Sequence, residues 1–234
     1  MSDGGPGIAE RLRAVRQRVA AAAVGAGRDP SEILLVVVTK EVDAGRIREA
    51  ISAGAVDLGE NRAQDLTRKM EELAGVSPAP RWHFIGTLQR NKVRLVAGRT
   101  VMIHSVDSVE LGEAIARRAS GLGLEQDALV EVNVSGEASK HGVDPADAWR
   151  VVASLSGVTG IRLRGLMTIA PAGLPAAART AFARLRDLRD ELRDELGGGS
   201  LEHLSMGMTS DFEVAIEEGA TIVRIGTAIF GPRA

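Results

Sequence analysis

The sequence predicts a closed (β/α)8 barrel, a TIM barrel of the α/β class, in a single domain with an extra N-terminal helix. Two observations predict it. Eight short β-like runs alternate with helical patterns, as a parallel sheet with outer helices requires. A helix precedes the first run, while little chain follows the last. In a closed barrel strand 8 neighbours strand 1, so the leading helix can cover the place of the missing eighth. An open doubly wound sheet is the alternative.

The elements follow in order. Residues 1–7 are rich in glycine and proline and are expected to be a flexible N-terminus, with residues 8–234 forming one barrel domain. Ile8, Leu12, Val15 and Val19 recur at helical spacing and run out near Gly25 and Gly27. Strands are expected at 33–39, 56–58, 82–85, 101–104, 128–134, 161–167, 201–205 and 222–225. Between them, Ile47, Ala50 and Ile51 stop at Gly54, and Ala63, Leu66, Met70 and Leu73 stop at Gly75. Asp144 and Pro145 supply an N-cap and a first-turn proline. Leu185, Leu188, Leu192 and Leu196 form a stripe ending at Gly197, and Ser210 with Glu213 reads as a capping box for the last full helix.

Composition removes several chemistries. The chain has no cysteine, which excludes disulfides, thiolate nucleophiles, Cys-ligated zinc and iron–sulfur clusters. It has no tyrosine, so no phenolic acid or base can come from this chain. His83, His104, His141 and His203 show no metal-ligand spacing, and no metal site is expected. A net charge of −2 with both signs interspersed argues against nucleic-acid binding. The run at 33–38 is far short of the roughly 18 apolar residues a membrane span needs. The first residues lack a signal-peptide pattern, so a cytoplasmic protein is expected.

Barrel sites stand at the C-terminal strand ends. Lys40 closes an apolar run there, where poor hydration favours the uncharged amine that attacks aldehydes. The alternative is a packed stem whose ammonium snorkels to the rim. Strand 7 runs into Ser205, Gly207 and Thr209, and strand 8 into Gly226 and Thr227. Glycines and successive N–H groups at these two loops form the usual phosphate cradle of this barrel. A reactive lysine beside a phosphate cradle suggests pyridoxal 5′-phosphate held as a Schiff base. Arg224 shares the side of strand 8 that carries Gly226. It either donates to the pyridine nitrogen or forms an interior ion pair with Glu60 or Glu131.

These residues carry a resemblance. The VVTK motif at 37–40, LGEN at 58–61, WHFIGTLQRNK at 82–92 and HSVD at 104–107 are similar to those of the pyridoxal phosphate homeostasis proteins, small relatives of the alanine racemase barrel domain. Further matches are VNV at 132–134, SKHG at 139–142, GLM at 165–167, HLSMGM at 203–208 and VRIGTAIFG at 223–231. The resemblance implies Lys40 as the imine lysine, Arg224 facing the ring nitrogen, and Ser205, Gly226 and Thr227 around the phosphate. It also implies Asn61, His83 and Met167 lining the ring pocket. Thr39 and Thr209 keep the hydroxyl where the family often has serine, and Arg62 stands where an aromatic residue is frequent.

Two functions compete. A racemase or decarboxylase needs a second base, which in the alanine racemase relatives is a tyrosine from a separate β-domain. This chain has no tyrosine, and the sequence stops at Ala234. A non-catalytic carrier is therefore expected, one that stores, buffers or delivers pyridoxal phosphate to apo-enzymes that depend on it. A monomer is expected, and the 135–142 loop with Lys140 is a candidate for a second ligand.

Overall fold

A computed structural model of the protein describes residues 5–137, 141–171, 175–196 and 201–232. Residues 1–4 of the expected flexible start, Lys140 and the glycines at 197–199 lie outside the described residues.

Runs rich in Val, Ile and Leu form the strands because branched side chains suit a sheet buried on both faces. The strands are β1 (Leu34–Val38), β2 (Asp57–Glu60), β3 (Arg81–Phe84), β4 (Met102–Val106), β5 (Gln126–Glu131), β6 (Ile161–Met167), β7 (His203–Ser205) and β8 (Ile222–Ile225). They pair in parallel, each with the next, and β8 returns to β1 from Leu34↔Ile222 to Val37↔Ile225. That last pairing closes the barrel and excludes the open sheet. Val36, Met102, Leu129, Met167 and Ile222 make a thin apolar layer inside the barrel, while the larger core lies between strands and helices.

The helices are α1 (Ile8–Gly25), α2 (Ala44–Ser52), α3 (Ala63–Glu72), α4 (Val93–Val96), α5 (Val109–Ser120), α6 (Pro145–Leu155), α7 (Pro175–Glu195), α8 (Phe212–Glu217) and α9 (Thr227–Phe230). Asp144 caps α6 as expected, accepting from Ala146 N at 2.9 Å. No sequence expectation covers α4 or α5. Ser108 caps α5, and Leu111, Ile115 and Ala119 give it a buried stripe, so its signal was present.

Two expectations are corrected. The first is the capping box at 210–213. Asp211 is the N-cap of α8, and Glu213 is drawn across to α1, where Arg18 Nε donates to it at 2.8 Å. Asp211 Oδ1 instead accepts from Met208 N at 2.6 Å and pins the β7–α8 loop. The second is β5, which ends at Glu131 rather than 134 because Asn133 N turns away to Val143 O at 2.9 Å.

The leading helix does cover the seam. Helix α1 packs against α2, α8 and α9, beside an α9 of 4 residues. Its buried stripe is Ile8, Leu12, Val15, Val19 and Ala23. Just beyond its end, Arg28 donates to Ile216 O at 2.9 Å and Ala220 O at 2.8 Å. Leu12 is 0% exposed, so Leu12→Ala should cost about 2–5 kcal/mol of stability. A denaturant midpoint measures this, and a loss below about 1 kcal/mol would show α1 to be an ornament on the barrel.

Candidate functional site

Strands β7, β8 and β1 bring their C-terminal ends together. A Cβ on Gly226 would stand 3.0 Å from Val38 O and 3.2 Å from Val38 Cβ, so a side chain there would push the two strand ends apart by a few tenths of an ångström. Lys40 lies just past Val38, half-buried. Among the described residues its ammonium has no hydrogen-bond or ion-pair partner.

The deeply desolvated lysine is a different one. Lys69 of α3 is 1% exposed, donates to Thr39 O at 2.6 Å, and pairs with the Glu60 carboxylate, itself 0% exposed. Thr39 Oγ1 donates to the same Glu60 oxygen at 2.7 Å. The backbone immediately before Lys40 is thus tied to a buried ion pair between β2 and α3. Sequence reasoning missed Lys69, which sits inside the apolar stripe of Leu66, Met70 and Leu73.

The two expected cradle loops are stitched to each other. Arg224 N donates to Gly207 O at 3.0 Å, and Ala228 N to Thr209 Oγ1 at 3.4 Å. Gly207 is buried with φ +91°, and a Cβ there would meet Ala215 Cβ at 2.6 Å. It shapes the turn, while Gly226 and Thr209 are half-buried and Thr227 is exposed.

Inside the barrel a continuous polar chain runs from Asp57 to Arg224. His83 Nε2 meets Asp57 Oδ1 at 3.1 Å, and His83 Nδ1 meets His104 Nε2 at 3.0 Å. His104 Nδ1 meets Ser205 Oγ at 2.9 Å, and Arg224 donates to Ser205 Oγ at 2.6 Å and to Thr168 O at 2.9 Å. With a cation at one end and a carboxylate at the other, every donor can point one way: Arg224 to Ser205, Ser205 to His104, His104 to His83, His83 to Asp57. Burial works to raise the Asp57 carboxyl, but hydrogen bonds from His83 and Arg81 outweigh it and hold it low. Burial, with the charges of His83, Arg224 and His203, holds His104 well below the usual imidazole range. Burial brings Arg224 down to about 10, opposed by Glu131 and Asp211, so it stays charged near neutrality.

The expected site residues therefore divide. Lys40, Asn61 and Gly226 are half-buried and Thr227 is exposed, all four at or just past the C-terminal ends of their strands. Ser205 and His83 have their polar atoms engaged inside the barrel, and Met167 belongs to its apolar layer. Arg224 forms no direct bridge to Glu60, which is held by Lys69, or to Glu131. A cleft of about 430 Å³ opens beside the mouth, lined by Asn61, Thr87, Glu131, Asn133, His141 and Ile169 among others. Asn61 Oδ1 is buried without a hydrogen-bond partner. Among the described residues no group of three His, Cys, Asp or Glu is placed to hold a metal, and no helix is long and apolar enough to cross a membrane.

Comparison with known proteins agrees with this architecture. The alanine racemase N-terminal domain matches residues 11–234. A pyridoxal phosphate homeostasis protein of Aquifex aeolicus is 45% identical over 225 residues, covering 96% of this chain and 97% of its own. A solved protein of unknown function from Bifidobacterium adolescentis superposes with a TM-score of 0.88 at 43% identity, covering 95% of this chain and 94% of its own. PipY of Synechococcus elongatus, solved with pyridoxal phosphate bound, gives a TM-score of 0.85 at 38% identity, covering 96% of this chain and 100% of its own.

Proposed function

Because the chain belongs to the pyridoxal phosphate homeostasis proteins, built on the alanine racemase N-terminal domain, we propose that it binds pyridoxal 5′-phosphate through Lys40 as a Schiff base. Its role is then to store, buffer or deliver the cofactor inside the cell. The observation that carries this is the Lys40 ammonium, unpartnered among the described residues, at a strand end that also meets the glycine cradle of β7 and β8.

The residues fit the group. Asn61 Oδ1 is a buried acceptor lacking a donor, which an incoming ligand would supply. When bound, the cofactor contributes an aldehyde that combines reversibly with primary amines. Lys40 supplies that amine, and the Lys69–Glu60–Thr39 cluster holds its backbone in place. Backbone N–H groups around Gly226 and Thr227 would receive the phosphate. Arg224 is held as a charged donor by Ser205 and Thr168 and would face the ring nitrogen. A donor there leaves the nitrogen unprotonated and the ring a weak electron sink. Residues 8–234 serve as one binding unit, working as a monomer.

A carrier without amino-acid turnover is favoured by the lack of a phenolic second base. The chain has no tyrosine, and the imidazoles of His83 and His104 are both occupied in the interior chain. Cofactor-dependent apo-enzymes are the recipients this role implies.

Incubated with pyridoxal phosphate, the protein should develop a visible imine band, and borohydride should add the cofactor mass to the peptide carrying Lys40. Lys40→Ala should show neither. Trapping on a different lysine would overturn the assignment. Conversion of a single amino-acid enantiomer above the free-cofactor background would overturn the carrier role.

A further inference from the structure

Glu131 ends β5 with a side chain that is 5% exposed. Among the described residues its carboxylate has no hydrogen-bond or ion-pair partner, yet it lines the cleft beside the mouth. Buried carboxylates are costly unless paired, so such a group calls for a cation that the described residues do not supply. Arg224, the charged group whose field bears most on Glu131, directs Nη1 and Nη2 to Ser205 and Thr168 and makes no ion pair with this carboxylate. The other charged groups that bear on Glu131 are Asp107, just after β4, and His141, in the stretch leading to α6.

We propose that this cleft receives a primary alkylammonium group, with the Glu131 carboxylate accepting its N–H bonds and then its proton. One carboxylate suits a compact cation with several donors. A divalent metal would need more oxygen ligands than are gathered here. Ile85 and Ile169 offer apolar wall for the alkyl part, and Thr87 and Asn133 offer polar wall. The proton passes from the ammonium nitrogen to a Glu131 oxygen, leaving a neutral amine and a carboxylic acid. No other bond breaks. Burial pushes the Glu131 carboxyl up to about 7, with Arg224 and His141 opposing and Asp107 adding to the rise, so the group can exchange a proton near neutrality.

The inference extends the cofactor-binding reading and rests on it for its purpose. An amine freed of its proton in a cleft that Asn61 also lines is the species that can take the cofactor from Lys40. Asn61 lines both places, so the acceptor would arrive against the wall of the cofactor site. The same chemistry could come from a free amino acid or from a lysine side chain of a recipient protein.

Binding of ethylammonium to the purified protein tests the site, followed at pH 8 by the rise in thermal midpoint, with tetramethylammonium as the ionic control. Wild type should respond to ethylammonium and not to the control. Glu131→Gln should bind at least about tenfold more weakly, and Glu131→Asp should keep part of the response. Glycine and Nα-acetyl-lysine amide form two further arms, and the stronger responder identifies the source. Equal binding by wild type and Glu131→Gln, or none by wild type, would overturn the proposal. The Lys40 imine band is read separately on the same samples. An ethylammonium response without that band would sink the cofactor reading and leave this site standing.

Discussion

Lys69→Ala should lower the free energy of unfolding by about 3–5 kcal/mol, the usual cost of stripping one partner from a buried ion pair. The substitution leaves Glu60, 0% exposed, without its cation and Thr39 O without its donor. At roughly 2–4 °C per kcal/mol for a chain of this size, the thermal midpoint should drop by about 6–20 °C. The double variant Lys69→Met with Glu60→Leu should recover much of the loss, because two apolar groups then fill the space without an orphaned charge. Denaturant melts of the four proteins in the cycle measure the coupling. A single variant within about 1 kcal/mol of wild type would show that the pair does not carry the β1–α2 corner. Lys40 should also lose cofactor affinity in Lys69→Ala, since the carbonyl just before it is no longer held.

The second large effect is a dependence of stability on pH. Glu131 is raised from 4.5 in the unfolded reference to about 7 in the folded protein. Between those values the folded state binds more protons, so stability falls as pH rises. The contribution is fully present below about pH 4.5 and is lost as pH passes through about 7, a difference of roughly 3 kcal/mol. Glu131→Gln removes the ionising group and should flatten this limb, making the ligand-free variant more stable than wild type at pH 8. Parallel melts between pH 5 and pH 8 check it. Identical pH profiles for the two proteins would show that the carboxyl is not perturbed.

Much of the fold was legible because its signals are local. Short apolar runs marked the staves, most plainly β1 and β8, and Gly54, Gly75 and Asp144 marked helix ends. Local signals failed where a distant residue intervened: Glu213 looked like half of a capping box until Arg18, 195 positions away in sequence, captured it. The candidate site was only partly legible. Lys40 stood out as a lysine ending a strand, and Gly226 as a glycine at a strand end. The chain from Asp57 through His83, His104 and Ser205 to Arg224 draws on five staves, and only the register of the closed barrel aligns it. Glu131 hid for a related reason. Nothing in VEVNV says which face the glutamate takes until β5 is placed in the barrel.

The β8–β1 seam under α1 has a consequence for how the molecule comes into being. Arg28 and Ala220, which meet across it, are 192 residues apart in sequence. Contacts of such separation form late, after the loop between them has collapsed. Lys40 and the Gly226 cradle stand on opposite sides of that seam. The proposed pairing of Lys40 with that cradle is therefore assembled only when synthesis has delivered the last strand, and a nascent chain carries the lysine without its neighbours on β8.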